Sequence, residues 1–137
     1  MQKAKAQKLA REALSDVGIH IRDVNVPVST LSGGERQSIS IARAVHFQSK
    51  LLILDEPTAA LSLRETEKVL GYVDEARGKG VSVIIITHNI SDAWRVSDRF
   101  VVLYRGSVAK IASKQDISQQ ELANVINTGD RHNTAVH

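Results

Sequence analysis

The chain has 137 residues, of which 42% are hydrophobic and 24% are charged, as is typical of a folded globular domain rather than a disordered one. No apolar run approaches the roughly 20 residues that a transmembrane helix needs, and the lack of cysteine excludes disulfides, thiol catalysis and cysteine-bound zinc. The net charge of +3 is weakly basic, and 4% aromatic residues are too few for a platform that stacks nucleic-acid bases.

The first third of the chain predicts two helices. Apolar residues at helical spacing indicate an amphipathic helix over residues 3–17, which Gly18 is placed to end. Residues 19–29 contain Pro27, which disfavours a helix, so this segment is predicted to be extended or irregular. Helical spacing returns over residues 33–47.

The middle of the chain predicts two strands separated by a helix. The apolar run at residues 51–54 and the β-branched run at residues 81–86 are typical of parallel strands buried on both faces. Ser62 and Glu65 have the spacing of a capping box, which predicts a helix from there to about residue 77. Strands that alternate with helices predict an α/β domain with a mostly parallel sheet.

The last third predicts a helix, a hairpin and a second helix. A short helix is expected over residues 90–96. Residues 100–104 and 108–111 read as strands joined by the turn at residues 105–107. A further capping box opens a helix over residues 118–127.

Two acidic residues follow the first strand. Asp55 and Glu56 lie at its carboxyl end, where parallel sheets bind their ligands. One carboxylate there can hold Mg²⁺, often through water, and a second can polarise an attacking water. Taken alone, the residues also fit a polar turn in which Pro57 ends the strand. His88, after the second strand, can contact a phosphate or orient water, or serve as an ordinary structural histidine.

A serine and two glycines open the helix that begins near residue 33. Gly33 and Gly34 allow backbone N–H groups to approach a ligand, and the helix N-terminus and the Ser32 hydroxyl favour an anion such as phosphate. Ser32 and Glu35 also have capping-box spacing, so an ordinary helix cap accounts for the same residues. The two interpretations are compatible.

These motifs in this order resemble the ATP-binding subunit of ABC transporters. The matching residues are the signature at residues 31–34, the Walker B run at residues 51–55 with Glu56 after it, and the switch-loop His88. The resemblance covers about residues 1–111 and implies an α/β fold of the P-loop nucleotide hydrolase type.

The resemblance also implies residue roles and two cofactors, ATP and Mg²⁺. Asp55 would support Mg²⁺ through water, Glu56 would be the catalytic base, and His88 would contact the γ-phosphate. The signature would contact the γ-phosphate of ATP held on a second, opposing ATPase subunit, through Leu31, Ser32, Gly33 and Gly34.

The implied function is ATP hydrolysis that energises an importer. The sequence around the signature and after Asp55 looks like that of ribose, xylose and fructose importers, although relatives that carry amino acids or peptides share most of it. The expected partners are a second ATPase subunit, transmembrane permease subunits and, indirectly, a solute-binding protein. The expected location is the cytoplasmic face of the inner membrane, as a peripheral protein.

The phosphate loop of the family, G-x-x-x-x-G-K-[ST], does not occur in the sequence. The glycine–lysine cluster at residues 78–80 precedes a strand and is predicted to be a turn. The chain is therefore expected to be the C-terminal part of an ATPase domain, incomplete at its N-terminal side and unable to hydrolyse ATP alone. The strands at residues 51–54 and 81–86 are then expected to have exposed edges or faces.

The predicted organisation is one partial ATPase domain over residues 1–127. It comprises a helical subdomain with the signature helix (1–47), a sheet core from Walker B past the switch loop (50–111) and a C-terminal helix (112–127), with a flexible tail beyond it (128–137).

Two alternatives remain open. The chain can be a non-catalytic truncated fragment, or a docking module that supplies only the signature to a complete partner. It can also be a nucleic-acid-linked ATPase, but those proteins place long coiled coils between their halves, and no sustained heptad run occurs here. No nucleic-acid partner is therefore expected.

Ser62 stands where the family often has an aspartate that couples the two nucleotide sites.

Overall fold

The structure is a computed structural model that describes residues 2–129. Two 3₁₀ helices without a counterpart in the sequence prediction lie at Val28–Thr30 and Lys114–Asp116. The other elements of the described part match the predicted ones in order, and are α1 (Gln2–Ser15), α2 (Gly33–His46), β1 (Leu51–Asp55), α3 (Leu63–Gly78), β2 (Ser82–Ile86), α4 (Ile90–Val96), β3 (Arg99–Tyr104), β4 (Ser107–Ser113) and α5 (Gln119–Thr128).

The helix ends differ slightly from the prediction. Helix α1 ends at Ser15, two residues early, and Gly18 adopts the left-handed conformation (φ 70°) that turns the chain. The Ile19 N–H then donates to the Leu14 carbonyl at 2.9 Å, and both side chains enter the core. Helix α5 includes Thr128, where a flexible tail was expected, and residues 130–137 lie outside the described residues.

The chain consists of two compact units, and the boundary between them lies between His88 and Asn89. The first unit has a helical core in which α1 packs on α2 and α2 packs on α3. One of its clusters of buried apolar side chains consists of Leu14, Val17, Ile19 and Ala42. Tyr72 of α3 packs against this cluster, so all three helices share one core.

Strands β1 and β2 of the first unit form a two-stranded parallel sheet, in register from Leu51↔Ser82 to Asp55↔Ile86. Helix α2 contacts β1 and helix α3 contacts β2. One face of the sheet is covered, and Leu54 on it is only 4% exposed. The other face carries four apolar side chains that are each about half exposed, namely Leu51, Ile53, Ile84 and Ile86. The expectation of an exposed face is confirmed, whereas burial on both faces, which the apolar runs indicate, does not occur.

The second unit is built on an antiparallel hairpin. Strands β3 and β4 pair antiparallel in a sheet of their own, which confirms the predicted hairpin. The connecting residues Arg105 and Gly106 both have positive φ (46° and 75°), as a tight two-residue hairpin turn requires. The core of the unit is a cluster formed by Phe100, Val102, Ile117 and Leu122. Among residues 2–129, no helix combines the length and the apolar character needed to cross a membrane.

Candidate functional site

The acidic turn after β1 is fixed by an unusual backbone conformation. Glu56 has a φ of 46°, a left-handed value that is uncommon for a residue with a side chain. Its N–H donates to the carbonyl oxygen of Ile86 at 2.8 Å, which extends the parallel pairing by one step beyond β1. The turn therefore begins where both strands end, and backbone strain of this kind is often found at functional sites.

The Glu56 side chain reaches the residues that follow β2. The Thr87 hydroxyl donates to Oε2 at 3.3 Å, and the His88 backbone N–H donates to Oε1 at 3.3 Å. The His88 imidazole Nδ1 lies 2.8 Å from the same Oε1. Thus the structure brings together Glu56 and His88, which the sequence places 32 positions apart. Thr87, which was not singled out as a site residue, completes the group.

Glu56 and His88 shift each other's titration. The hydrogen bond from His88 lowers the pKa of Glu56 below its ordinary value of 4.5, and the charge of His88 and the Thr87 hydroxyl act in the same direction. The hydrogen bond to Glu56 and its charge raise the pKa of His88 above 6.5. Glu56 is therefore ionised at neutral pH, as a general base must be, and the His88 side chain remains 85% exposed.

Asp55 is the last residue of β1 and its side chain is exposed. It follows the buried Leu54, so strand alternation directs it away from the covered face of the sheet. Among the described residues, no three His, Asp or Glu side chains form a metal-binding group. One or two carboxylates are the usual protein contribution to Mg²⁺ bound with a nucleotide, because water and phosphate oxygens supply the remaining ligands. The donor set at Asp55 fits that pattern.

The signature residues form the start of α2. Ser32 is the N-cap: its hydroxyl accepts from the Glu35 N–H at 3.2 Å, and its own N–H donates to the Glu35 carboxylate at 2.8 Å. The side chain of Leu31 is buried, and its carbonyl accepts a hydrogen bond from Arg36 at 2.5 Å. The capping box is thus confirmed, and it holds the first-turn N–H groups of the helix in place. Such groups are the ones that bind anions at helix N-termini.

Close packing also favours glycine at the two signature positions, residues 33 and 34. A Cβ at Gly33 would lie 3.0 Å from Leu61 Cδ2, and a Cβ at Gly34 would lie 3.4 Å from Glu65 Cβ. The segment that leads into α3 therefore packs directly on the signature. Leu61 and Glu65 were missed as neighbours of the signature, since the capping box of Glu65 predicts a helix start but not its position in space.

Two groups of candidate residues thus occur in the first unit, the acidic turn with His88 and the signature at the start of α2. Comparison with known proteins points to the same family that the sequence motifs resemble. The family profile described as ABC transporter matches residues 2–59. Over these residues the chain is similar to the ABC transporter family.

Relatives and solved structures match most of this chain. A xylose/arabinose import ATP-binding protein of Sulfolobus acidocaldarius is 40% identical over 126 residues, which are 92% of this chain and 50% of that protein. A fructose import ATP-binding protein of Rhizobium meliloti is 36% identical over 122 residues, 88% of this chain and 47% of that protein. A dimeric ATP-binding cassette solved with ADP and phosphate superposes with a TM-score of 0.68 at 28% identity, covering 85% of this chain and 50% of the cassette. The chain spans about half the length of these proteins.

Proposed function

We propose that this chain carries the hydrolytic turn and the signature of an ATPase that energises an ABC importer, with ATP as substrate and Mg²⁺ as the metal. The observation that carries the proposal is the position of Glu56. Its ionised carboxylate is fixed at the carboxyl ends of two parallel strands and is held by Thr87 and His88.

Each residue has a separate role in this proposal. Glu56 accepts a proton from the attacking water, and His88, largely exposed beside it, contacts the γ-phosphate. Asp55 supports Mg²⁺ through water, and the metal supplies neutralisation of phosphate charge when it is bound. Ser32, Gly33 and Gly34 present the N-terminus of α2 to the γ-phosphate of a nucleotide on an opposing subunit.

The transported solute is proposed to be a monosaccharide. The support is the similarity to proteins described as xylose/arabinose and fructose import ATP-binding proteins. The proposed partners are a second ATPase subunit, permease subunits and, indirectly, a solute-binding protein. Association with a permease would hold the chain at the cytoplasmic face of the membrane.

The chain by itself is proposed not to turn over ATP, because the sequence contains no G-x-x-x-x-G-K-[ST] loop. The first test is ATP binding and hydrolysis by the purified chain with Mg²⁺. The second test uses a hybrid in which a segment that contains a G-x-x-x-x-G-K-[ST] loop, taken from a complete ATPase of the family, is joined to the N-terminus of the chain. That hybrid is expected to bind and hydrolyse ATP.

In the hybrid, Glu56→Gln is expected to keep ATP binding and to lower kcat by about 10²- to 10⁴-fold, the usual contribution of a general base. The matched control is Glu67→Gln, which changes an exposed glutamate on α3 in the same way and is expected to leave kcat unchanged. Undiminished turnover in the Glu56 variant would remove this residue from the role of base. Turnover by the unfused chain would show that another segment cradles the phosphates.

A second candidate function is that of a docking module without activity of its own. The observation that favours it is that the signature is fully formed here although the sequence contains no phosphate loop. The test is to titrate the chain into a complete ATPase of the family and follow its hydrolysis rate. A saturable change that requires Ser32 would support docking, and the absence of any change would count against it.

A further inference from the structure

The start of α3 lies against the start of α2. Glu65, the third residue of α3, faces Gly34: a Cβ on that glycine would lie 3.4 Å from Glu65 Cβ, 3.6 Å from Cγ and 3.7 Å from Oε1. Leu61, just before α3, lies against Gly33 in the same way. Two helix N-termini, each with its own capping box, therefore meet at the signature.

The Glu65 carboxylate is fixed by its own cap. Oε2 accepts from the Ser62 N–H at 3.1 Å and from the Ser62 hydroxyl at 2.8 Å, and the Glu65 N–H donates back to the Ser62 hydroxyl oxygen at 3.3 Å. These bonds from Ser62 hold the pKa of Glu65 below 4.5, and the Ser32 hydroxyl makes a smaller contribution of the same sign. The Glu65 side chain therefore caps α3 and also lies against Gly34 at the start of α2.

The capping box of α5 can be compared with that of α3. Glu121 accepts from the Ser118 N–H and hydroxyl at 2.8 Å each, and its own N–H donates to Ser118 at 3.2 Å. The two boxes match bond for bond. The proximity to Gly34 belongs to Glu65 alone of the two, so capping does not require it.

We propose that Glu65 is a positioning residue for the signature. Its cap fixes the side chain, and the fixed side chain supports Gly34. The segment that follows the acidic turn and the residues that face phosphate are thereby held as one unit. The proposal rests on the proposed function in one respect, namely that the signature faces a phosphate.

The test is a pH titration of the full chain, labelled with ¹³C and ¹⁵N, followed by NMR without nucleotide. The amide signals of Gly33 and Gly34 are expected to move with the midpoint of the Glu65 carboxyl carbon. Two other charged groups are considered, namely Lys68 on α3, whose charge acts on Glu65, and Glu35 on α2, whose carboxylate accepts from the Ser32 N–H. Glu35→Gln therefore separates its contribution from that of Glu65.

Glu65→Gln is expected to abolish this titration at Gly34, because glutamine preserves a capping box but carries no charge. The matched control Glu121→Gln is expected to leave it intact. Glycine signals that follow only the Glu35 carboxyl, and that persist unchanged in the Glu65 variant, would overturn the proposal. Since no nucleotide is used, failure here is distinguishable from failure of the proposed ATPase.

Discussion

At the scale of single residues, the pair formed by Glu56 and His88 shows how a local conformation serves a distant contact. The left-handed φ of Glu56 redirects the chain at the end of β1, and the carboxylate then meets the imidazole at 2.8 Å. A glutamate in a regular strand would point to one face of the sheet. The strained backbone at Glu56 therefore directs its carboxylate towards the end of the neighbouring strand.

The same pair predicts a pH dependence. The favourable charged form requires ionised Glu56, whose pKa lies below 4.5, and protonated His88, whose pKa lies above 6.5. The stabilisation is thus present between these values. It is lost as the pH rises through the raised pKa of His88 or falls through the lowered pKa of Glu56.

An NMR titration of the His88 ring checks the prediction. Glu56→Gln removes the charge that favours the imidazolium and is expected to move the midpoint of His88 down towards 6.5. Glu67→Gln, on α3, is expected to leave the midpoint of His88 unchanged. Equal midpoints in the wild type and the Glu56 variant would show that the pair does not form in solution.

At the scale of elements, three helices of the described chain begin with the same Ser-x-x-Glu box, and each box was predicted from its spacing alone. Capping is local, since it joins residues three apart, and for that reason sequence spacing is sufficient to predict it. The neighbours of a cap in space, by contrast, cannot be predicted from local spacing. Nothing local to Ser62 and Glu65 indicates that their helix packs on the signature, whereas the α5 box has no such contact.

Removal of a cap is expected to destabilise one unit at a time. Ser62→Ala should lower the stability of the first unit, and Ser118→Ala that of the second, by about 1 kcal/mol each. Trp94 lies in the second unit, so urea unfolding followed by its fluorescence should respond to the Ser118 variant. An equal shift of the Trp94 transition in both variants would show that the units unfold together.

Helix α3 also offers a stabilising substitution. Gly71 lies in its interior, and a Cβ there meets nothing within 4 Å. Gly71→Ala is expected to raise the free energy of unfolding by about 0.5–1 kcal/mol, because alanine has the higher helix propensity. Gly80→Ala is the matched control: it also has open space but a φ of 86°, so it should destabilise the chain. Thermal unfolding of both variants tests this, and stabilisation at both positions would contradict it.

At the scale of the whole molecule, the exposed face of the parallel sheet is the feature that sets this chain apart from an ordinary globular domain. Parallel sheets are normally covered on both faces, yet Leu51, Ile53, Ile84 and Ile86 are each about half exposed. Exposed apolar patches of this kind favour association, as do open strand edges.

Polar substitutions on this face are therefore expected to reduce self-association of the isolated chain. Ile53→Thr with Ile84→Thr keeps β-branched side chains, and hence strand propensity, while it removes apolar surface. Val101→Thr with Ile111→Thr makes a similar change at exposed strand positions of the second unit. Sedimentation velocity over a range of concentrations should show a larger decrease for the first pair, and equal decreases would argue against a special role for this face.

The order of the elements, the three caps, the hairpin turn and the positions of the family motifs could all be predicted from the sequence. All of these depend on spacing within a few residues, where steric and hydrogen-bonding rules are local. It also indicated burial of both sheet faces, which was wrong, because an apolar run records what a strand can pack against and not what is there. The 3₁₀ helix at Val28–Thr30 went unpredicted, since so short a turn carries no periodicity.

The contacts between residues far apart in the sequence became known from the three-dimensional fold. Glu56 contacts His88 because β1 and β2 pair in a register that ends both strands together, and Glu65 faces Gly34 because α2 and α3 share one core. The residues of each pair lie more than 30 positions apart, so their contact depends on the packing of whole elements. The motifs can therefore be recognised from the sequence, whereas the geometry of the site is a property of the fold.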